Sequence, residues 1–178
     1  MPAALSSLDT LFSHARQSAT VNSDLRPQAT SLTPDQILSV VYLADIYGEP
    51  FCSGTLIADR LIATARHCVP DATPEDVWVG FGPKASLEAA VLPVAEIHLH
   101  ESPDFALLYL GQSAQAQLGS VTPTPLNREP VDAAWVGRIV DAAGYGLTLD
   151  VTREGRFFAP LAISGVHDTT ISVDGLGE

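Results

Sequence analysis

Positive charge is scarce in this sequence. Nine Lys and Arg stand against 21 Asp and Glu, for a formal charge of −12. A nucleic-acid backbone would be repelled over most of such a surface, so no nucleic-acid partner is expected. Long apolar runs are missing as well. None reaches the roughly 18 residues that a bilayer-crossing helix needs, so no membrane span is expected. Methionine occurs once, whereas Gly and Pro occur 13 times each. That balance argues against a helix bundle and for many short elements joined by turns. The start, Met1-Pro-Ala-Ala-Leu5, carries no basic residue. No apolar stretch of about 7–15 residues follows, so no signal peptide is read there. Cysteine is limited to Cys52 and Cys68. Two are too few for a structural zinc site, and their spacing is not that of a Cys-x-x-Cys redox motif. They are either two buried thiols or a disulfide. A disulfide would close a loop of about 15 residues, worth roughly 3 kcal/mol in the chain-entropy view. It would also imply an oxidising compartment.

Apolar matter is plentiful. Hydrophobic residues make up 46% and charged residues 17%, enough to bury a core. A chain of 178 residues suits one domain, or two small lobes sharing a cleft. Residues 1–35 read as an N-terminal tail or candidate propeptide. Leu5, Leu8, Leu11 and Phe12 could form a short amphipathic turn, and 20–34 reads as extended or loop. Residues 36–110 hold about six short strand patterns, over 37–43, 51–57, 61–64, 77–81, 91–100 and 105–110. Such a set suggests a closed antiparallel barrel or a sandwich. Residues 111–135, with Pro123, Pro125 and Pro130, read as a connection lying on a surface. Residues 136–178 carry only three strand patterns, over 136–145, 156–163 and 169–173. Three are too few to close a second barrel, so open edges and exposed apolar surface are expected there.

Two segments carry chemistry. In one, His67 sits beside Cys68, in a stretch that also contains Cys52. A staple between the cysteines would fix the backbone next to the imidazole, which suits a general base that must hold one orientation. In the other, Asp104 opens an apolar run. A carboxylate at the edge of a core needs a partner, and a histidine N–H is a good one. Other candidates are weaker. His98 and His100 lie two apart on a strand with Glu101 nearby, a pattern commoner on exposed strand faces than in metal sites, and no metal is assigned. Trp78 and Trp135 read as core or interface residues. His14 and His167 stand in no constellation.

Cys52-Ser-Gly54-Thr-Leu56-Ile57, then Thr64-Ala65-Arg66-His67-Cys68, then Asp104-Phe-Ala106-Leu-Leu-Tyr-Leu110 resembles the motif order of chymotrypsin-like (trypsin-family) serine peptidases. Ala143-Gly-Tyr-Gly146-Leu-Thr148 resembles the Gly-Trp-Gly segment that opens that family's second barrel. The resemblance implies an all-β fold of two antiparallel Greek-key β-barrels, the first complete here and the second partial. It implies that His67 is the general base and later the general acid, that Asp104 orients it, and that Cys52 and Cys68 form a disulfide. The chemistry implied is endopeptidase acyl transfer on a polypeptide substrate, without a cofactor. The location implied is secreted, extracellular or periplasmic.

The family's nucleophile lies in Gly-Asp-Ser-Gly-Gly, and these 178 residues contain no such segment. Ser164-Gly165 lacks the preceding Gly-Asp and sits in an apolar strand pattern, so it is rejected as the nucleophile. The missing segment would also supply oxyanion-hole N–H donors. The expectation is an N-terminal fragment of a trypsin-like endopeptidase, inactive alone, whose serine comes from a missing C-terminal segment. The alternatives are a second chain that supplies the serine, as in a split protease, or a catalytically dead binding or regulatory module. Val21-Asn22-Ser23 is a poor match to the family's activated N-terminus. Arg66 replaces the small residue usual before the histidine; it is expected to point to solvent, the alternative being that it perturbs the site.

Overall fold

The computed structural model describes residues 32–85, 89–146 and 155–176. Most of the expected tail, including His14 and 21–23, lies outside the described residues, as do Leu147 and Thr148. The described chain opens with one helical turn, α1 (Pro34–Ile37). Thr33 caps it: its hydroxyl accepts from the Gln36 N–H, and the Gln36 side chain accepts from the Thr33 N–H. Ile37 was expected to begin a strand. The Thr-Pro-Asp-Gln start signal outweighs the β preference of that one isoleucine.

Six strands follow: β1 (Val40–Ala44), β2 (Pro50–Ala58), β3 (Leu61–Thr64), β4 (Trp78–Phe81), β5 (Ala90–Leu99) and β6 (Ala106–Leu110). They close into an antiparallel barrel in the order β1-β2-β3-β6-β5-β4. Alternation selects the inward faces. In β6, Ala106, Leu108 and Leu110 are buried while Tyr109 points out. Val41, Leu43, Leu56, Ile62, Val79 and Leu108 form the centre of the core.

Strand β1 departs from alternation, because every one of its residues is buried. Val41 and Leu43 face the barrel interior, while Val40, Tyr42 and Ala44 pack against Tyr145 and Phe158. A strand covered on both faces reads as an unbroken apolar run, which is what 40–44 shows. Tyr42 also lies over Gly80 of the neighbouring strand. A Cβ on Gly80 would fall within the tyrosine ring, so the close approach requires glycine.

The connection after β6 is less superficial than its prolines suggest. It contains a short helix, α2 (Ala114–Leu118), and buries Ala114 and Val121 in the barrel core. Strands β7 (Ile139–Gly144), β8 (Phe157–Val166) and β9 (Ile171–Gly175) then form an antiparallel sheet in the order β7-β8-β9. The sheet does not close. Ile139, Ile171 and Val173 are exposed on it. The fold is thus all-β, with one complete barrel and one partial one. The tryptophans do not enter either core. Trp78 is exposed on β4, and Trp135 is half-buried under the Arg138 guanidinium, 4.5 Å from the ring centroid.

Candidate active site

Barrel register brings His67 and Asp104 together. Strand β3 ends at Thr64, β6 begins at Ala106, and these two residues are antiparallel partners. Three residues beyond one and two before the other therefore meet on the same rim. After β3 the chain enters a 3-10 turn, Arg66–Cys68. This turn aims the imidazole at the carboxylate. His67 Nδ1 lies 2.6 Å from Asp104 Oδ2, and the His67 backbone N–H donates to Oδ1 at 2.8 Å. Both carboxylate oxygens are thus engaged by one residue.

The pair is half exposed, at 48% for the His67 side chain and 54% for Asp104. The hydrogen bond from the His67 ring holds the Asp104 carboxyl below its ordinary pKa; desolvation opposes this, and the backbone N–H groups of His67 and Arg66 add to it. The other ring nitrogen, Nε2, has no partner among the described residues. With Nδ1–H committed to the carboxylate, Nε2 is the basic lone pair available for proton transfer.

Cys52 of β2 and Cys68 of the 3-10 turn are joined in a disulfide, with Cα atoms 6.0 Å apart. The bond anchors the turn that carries His67 to the barrel wall. The two sulfurs and a His67 ring nitrogen lie within 4.8 Å of one another. Sulfurs bonded to each other offer no thiolate, so this trio is no metal centre. Below it, the Thr64 hydroxyl donates to the Ser53 carbonyl at 2.9 Å and holds the ends of β2 and β3 together.

The other described histidines have local partners. His98 Nε2 lies 3.0 Å from Glu96 Oε2, with Tyr109 edge-on to the ring. His100 Nδ1 accepts from the Ser102 N–H. His167 Nε2 meets Ser172 Oγ at 3.1 Å on the exposed β8–β9 hairpin. Among the described residues no carboxylate orients that imidazole, so this pair lacks the third member of a triad. Ser164 is exposed at the β8 irregularity between Ile163 and Gly165.

The family described as the trypsin-like peptidase domain matches residues 52–172. The chain belongs to the trypsin-like peptidases. Coagulation factor XII of Cavia porcellus is 36% identical over 95 residues, covering 46% of this chain and 16% of that protein. Coagulation factor XII of Sus scrofa is 31% identical over 123 residues, covering 59% of this chain and 20% of that protein. The chain therefore spans a fifth or less of the length of these relatives. Among solved structures, the scabies mite inactivated protease paralogue S-D1 superposes with a TM-score of 0.66 at 15% identity, covering 79% of this chain and 71% of that one. A structure of HBP gives a TM-score of 0.63 at 20% identity, covering 82% and 70%. At these identities the structural likeness concerns the fold.

This trypsin-like peptidase chain therefore holds a His–Asp pair in hydrogen-bond contact and no Gly-Asp-Ser-Gly-Gly nucleophile. Two features of the site were not read from its motifs. The first is Arg66. Expected to point to solvent, its guanidinium instead bends onto the carbonyls of His100 and Glu101, at 2.9 and 3.1 Å. Two free carbonyls within reach of a fork of N–H donors explain the difference. The second is the seam between barrel and sheet. The Tyr145 N–H donates to Ser53 Oγ at 2.8 Å, and its hydroxyl donates to the carbonyls of Gly82 and Val40. Burial pushes the Tyr145 phenol up to about 12. Its place in the Gly-Tyr-Gly motif was the available signal.

Proposed function

We propose that this chain carries the acid–base half of a trypsin-type active site. His67 is the general base that takes a proton from a serine hydroxyl through Nε2. It then returns the proton to the leaving amine. Asp104 holds the ring in the Nδ1–H form and stabilises the imidazolium. The substrate is a polypeptide, cleaved through an acyl-enzyme. The observation that carries this reading is the doubly engaged carboxylate, which fixes both the ring and the backbone of His67. The serine and the oxyanion donors come from residues outside these 178, in a longer chain or in a second one.

A secreted or periplasmic location is part of the same proposal. The Cys52–Cys68 disulfide supports it, because such bonds persist in oxidising compartments. Among the described residues no helix is long and apolar enough to cross a membrane.

A second reading has its own support. A fold shared with an inactivated protease paralogue suits a catalytically silent binding module. One experiment separates the two. The coding sequence is read past the codon for Glu178, and the protein purified from its source is mapped by mass spectrometry. A Gly-Asp-Ser-Gly-Gly segment in the same polypeptide, or in a co-purifying chain, is the expected result. A chain that ends at Glu178 and purifies alone would contradict the half-site and leave the binding module.

A further inference from the structure

We propose that Arg66 is a positioning residue that clamps the Asp104 loop onto the His67 turn, so that the carboxylate stays on Nδ1. This inference rests on the His67–Asp104 reading above and adds to it Arg66, the residue at the variable position of the His motif.

The two rim segments meet through the Asp104 carboxylate, and a clamp beside it would steady that contact. His67 follows β3 by three residues and Asp104 precedes β6 by two. The Thr64–Ala106 pairing aligns the strands but ends at the rim. Beyond it, 100–105 is a loop that projects from the barrel. Its neck is closed by the His100 N–H donating to the Phe105 carbonyl at 2.9 Å, and its interior by the Ser102 N–H donating to His100 Nδ1 at 3.1 Å. Those bonds shape the loop internally without tying it to the His67 turn. The disulfide anchors the turn to β2.

Arg66 spans that gap. One of its nitrogens, Nη1, donates to two successive loop carbonyls, His100 O at 2.9 Å and Glu101 O at 3.1 Å. A single residue next to His67 thus ties the start of the loop that presents Asp104 to the His67 turn. The carboxylate and imidazole are half exposed, so packing does not lock them. An exposed ion pair gains little by itself, because solvent screening and side-chain entropy offset it. Pre-setting the loop removes part of that entropic cost. A small side chain at position 66 could not reach either carbonyl.

The test reads the His67 tautomer rather than stability. In alkaline solution the imidazole is neutral, and the 15N shifts of its two nitrogens report which one carries the proton. The chain is labelled with 15N-histidine and compared with Arg66→Met, Arg66→Lys and Asp104→Ala. Arg66→Met keeps the apolar stem and removes every donor, which guards against a packing artefact. The wild type should show a dominant Nδ1–H form, and Asp104→Ala should abolish that dominance. Arg66→Met should lose most of the Nδ1–H excess while core methyl resonances stay in place. Arg66→Lys, which restores one donor head, should recover part of it. If Arg66→Met keeps the wild-type tautomer ratio, the clamp is wrong and the His67–Asp104 reading stands. If the wild type itself shows no Nδ1–H excess, that reading fails and the clamp with it.

Discussion

Asp104 engages His67 through both of its oxygens, one on the ring and one on the backbone. This has a consequence in acid. The ring hydrogen bond depresses the folded-state pKa of the carboxyl below the unfolded value of roughly 3.9. A depressed carboxyl stabilises the fold above the unfolded pKa, and the contribution is lost as pH falls through the folded one. Asp104→Asn should therefore be less stable than wild type near neutrality. The gap should close below about pH 4, where the wild-type carboxyl becomes protonated. Half exposure keeps the gap small, on the order of 1 kcal/mol or less. Urea midpoints at several pH values would measure it; a gap that persists undiminished well below pH 4 would contradict the engaged carboxylate. His67 and Asp104 were both legible, because a histidine beside a cysteine and a carboxylate opening an apolar run are local patterns. Arg66 was not. Its partners are the carbonyls of His100 and Glu101, and backbone groups carry no sequence signature.

Elements place those residues by register. The antiparallel match of Thr64 with Ala106 sets the rim, and the closed barrel keeps it rigid. Rigidity depends on close strand contacts such as Tyr42 over Gly80. Gly80→Ala would put a methyl group into a fully buried tyrosine ring, which must then leave its place between the barrel and Phe158. The expected loss is about 1–3 kcal/mol or more, read as a lowered thermal midpoint; an unchanged midpoint would show that Tyr42 moves freely. Strand positions were legible because alternating apolar residues, as in 106–110, report one buried face directly. The unbroken run at 40–44 marked a strand but could not say what covered its second face. That cover is Tyr145 and Phe158, more than a hundred residues away. The helical turn at 34–37 and the buried Ala114 and Val121 were missed for related reasons. One rests on a capping box, and the others on tertiary burial that composition does not report.

The whole molecule is asymmetric. The first sheet closes and has no edge, whereas the second has three strands and two edges, with every residue of β9 exposed. Protection should follow that division. In hydrogen–deuterium exchange, β1, β3 and β6 should open only with global unfolding, while β9 and the outer edge of β7 should exchange much faster. Uniform protection across both sheets would mean that another surface covers β7 and β9. The half sheet was legible from three strand patterns in 136–178, since three short strands cannot close a barrel. What would complete the proposed site was not, because these 178 residues carry no Gly-Asp-Ser-Gly-Gly segment.

The central claim is that His67 and Asp104 serve a serine that these residues do not contain. It is tested most directly by fluorophosphonate labelling, which reports an activated serine nucleophile. The 178-residue chain alone should not react. Protein purified from its source should be labelled on a serine outside these residues. There, His67→Ala should abolish labelling, and Asp104→Asn should slow it by roughly 10⁴-fold, because the wrong tautomer then dominates. Labelling of Ser164, Ser172 or any other serine within the chain, or labelling that survives His67→Ala, would contradict the account.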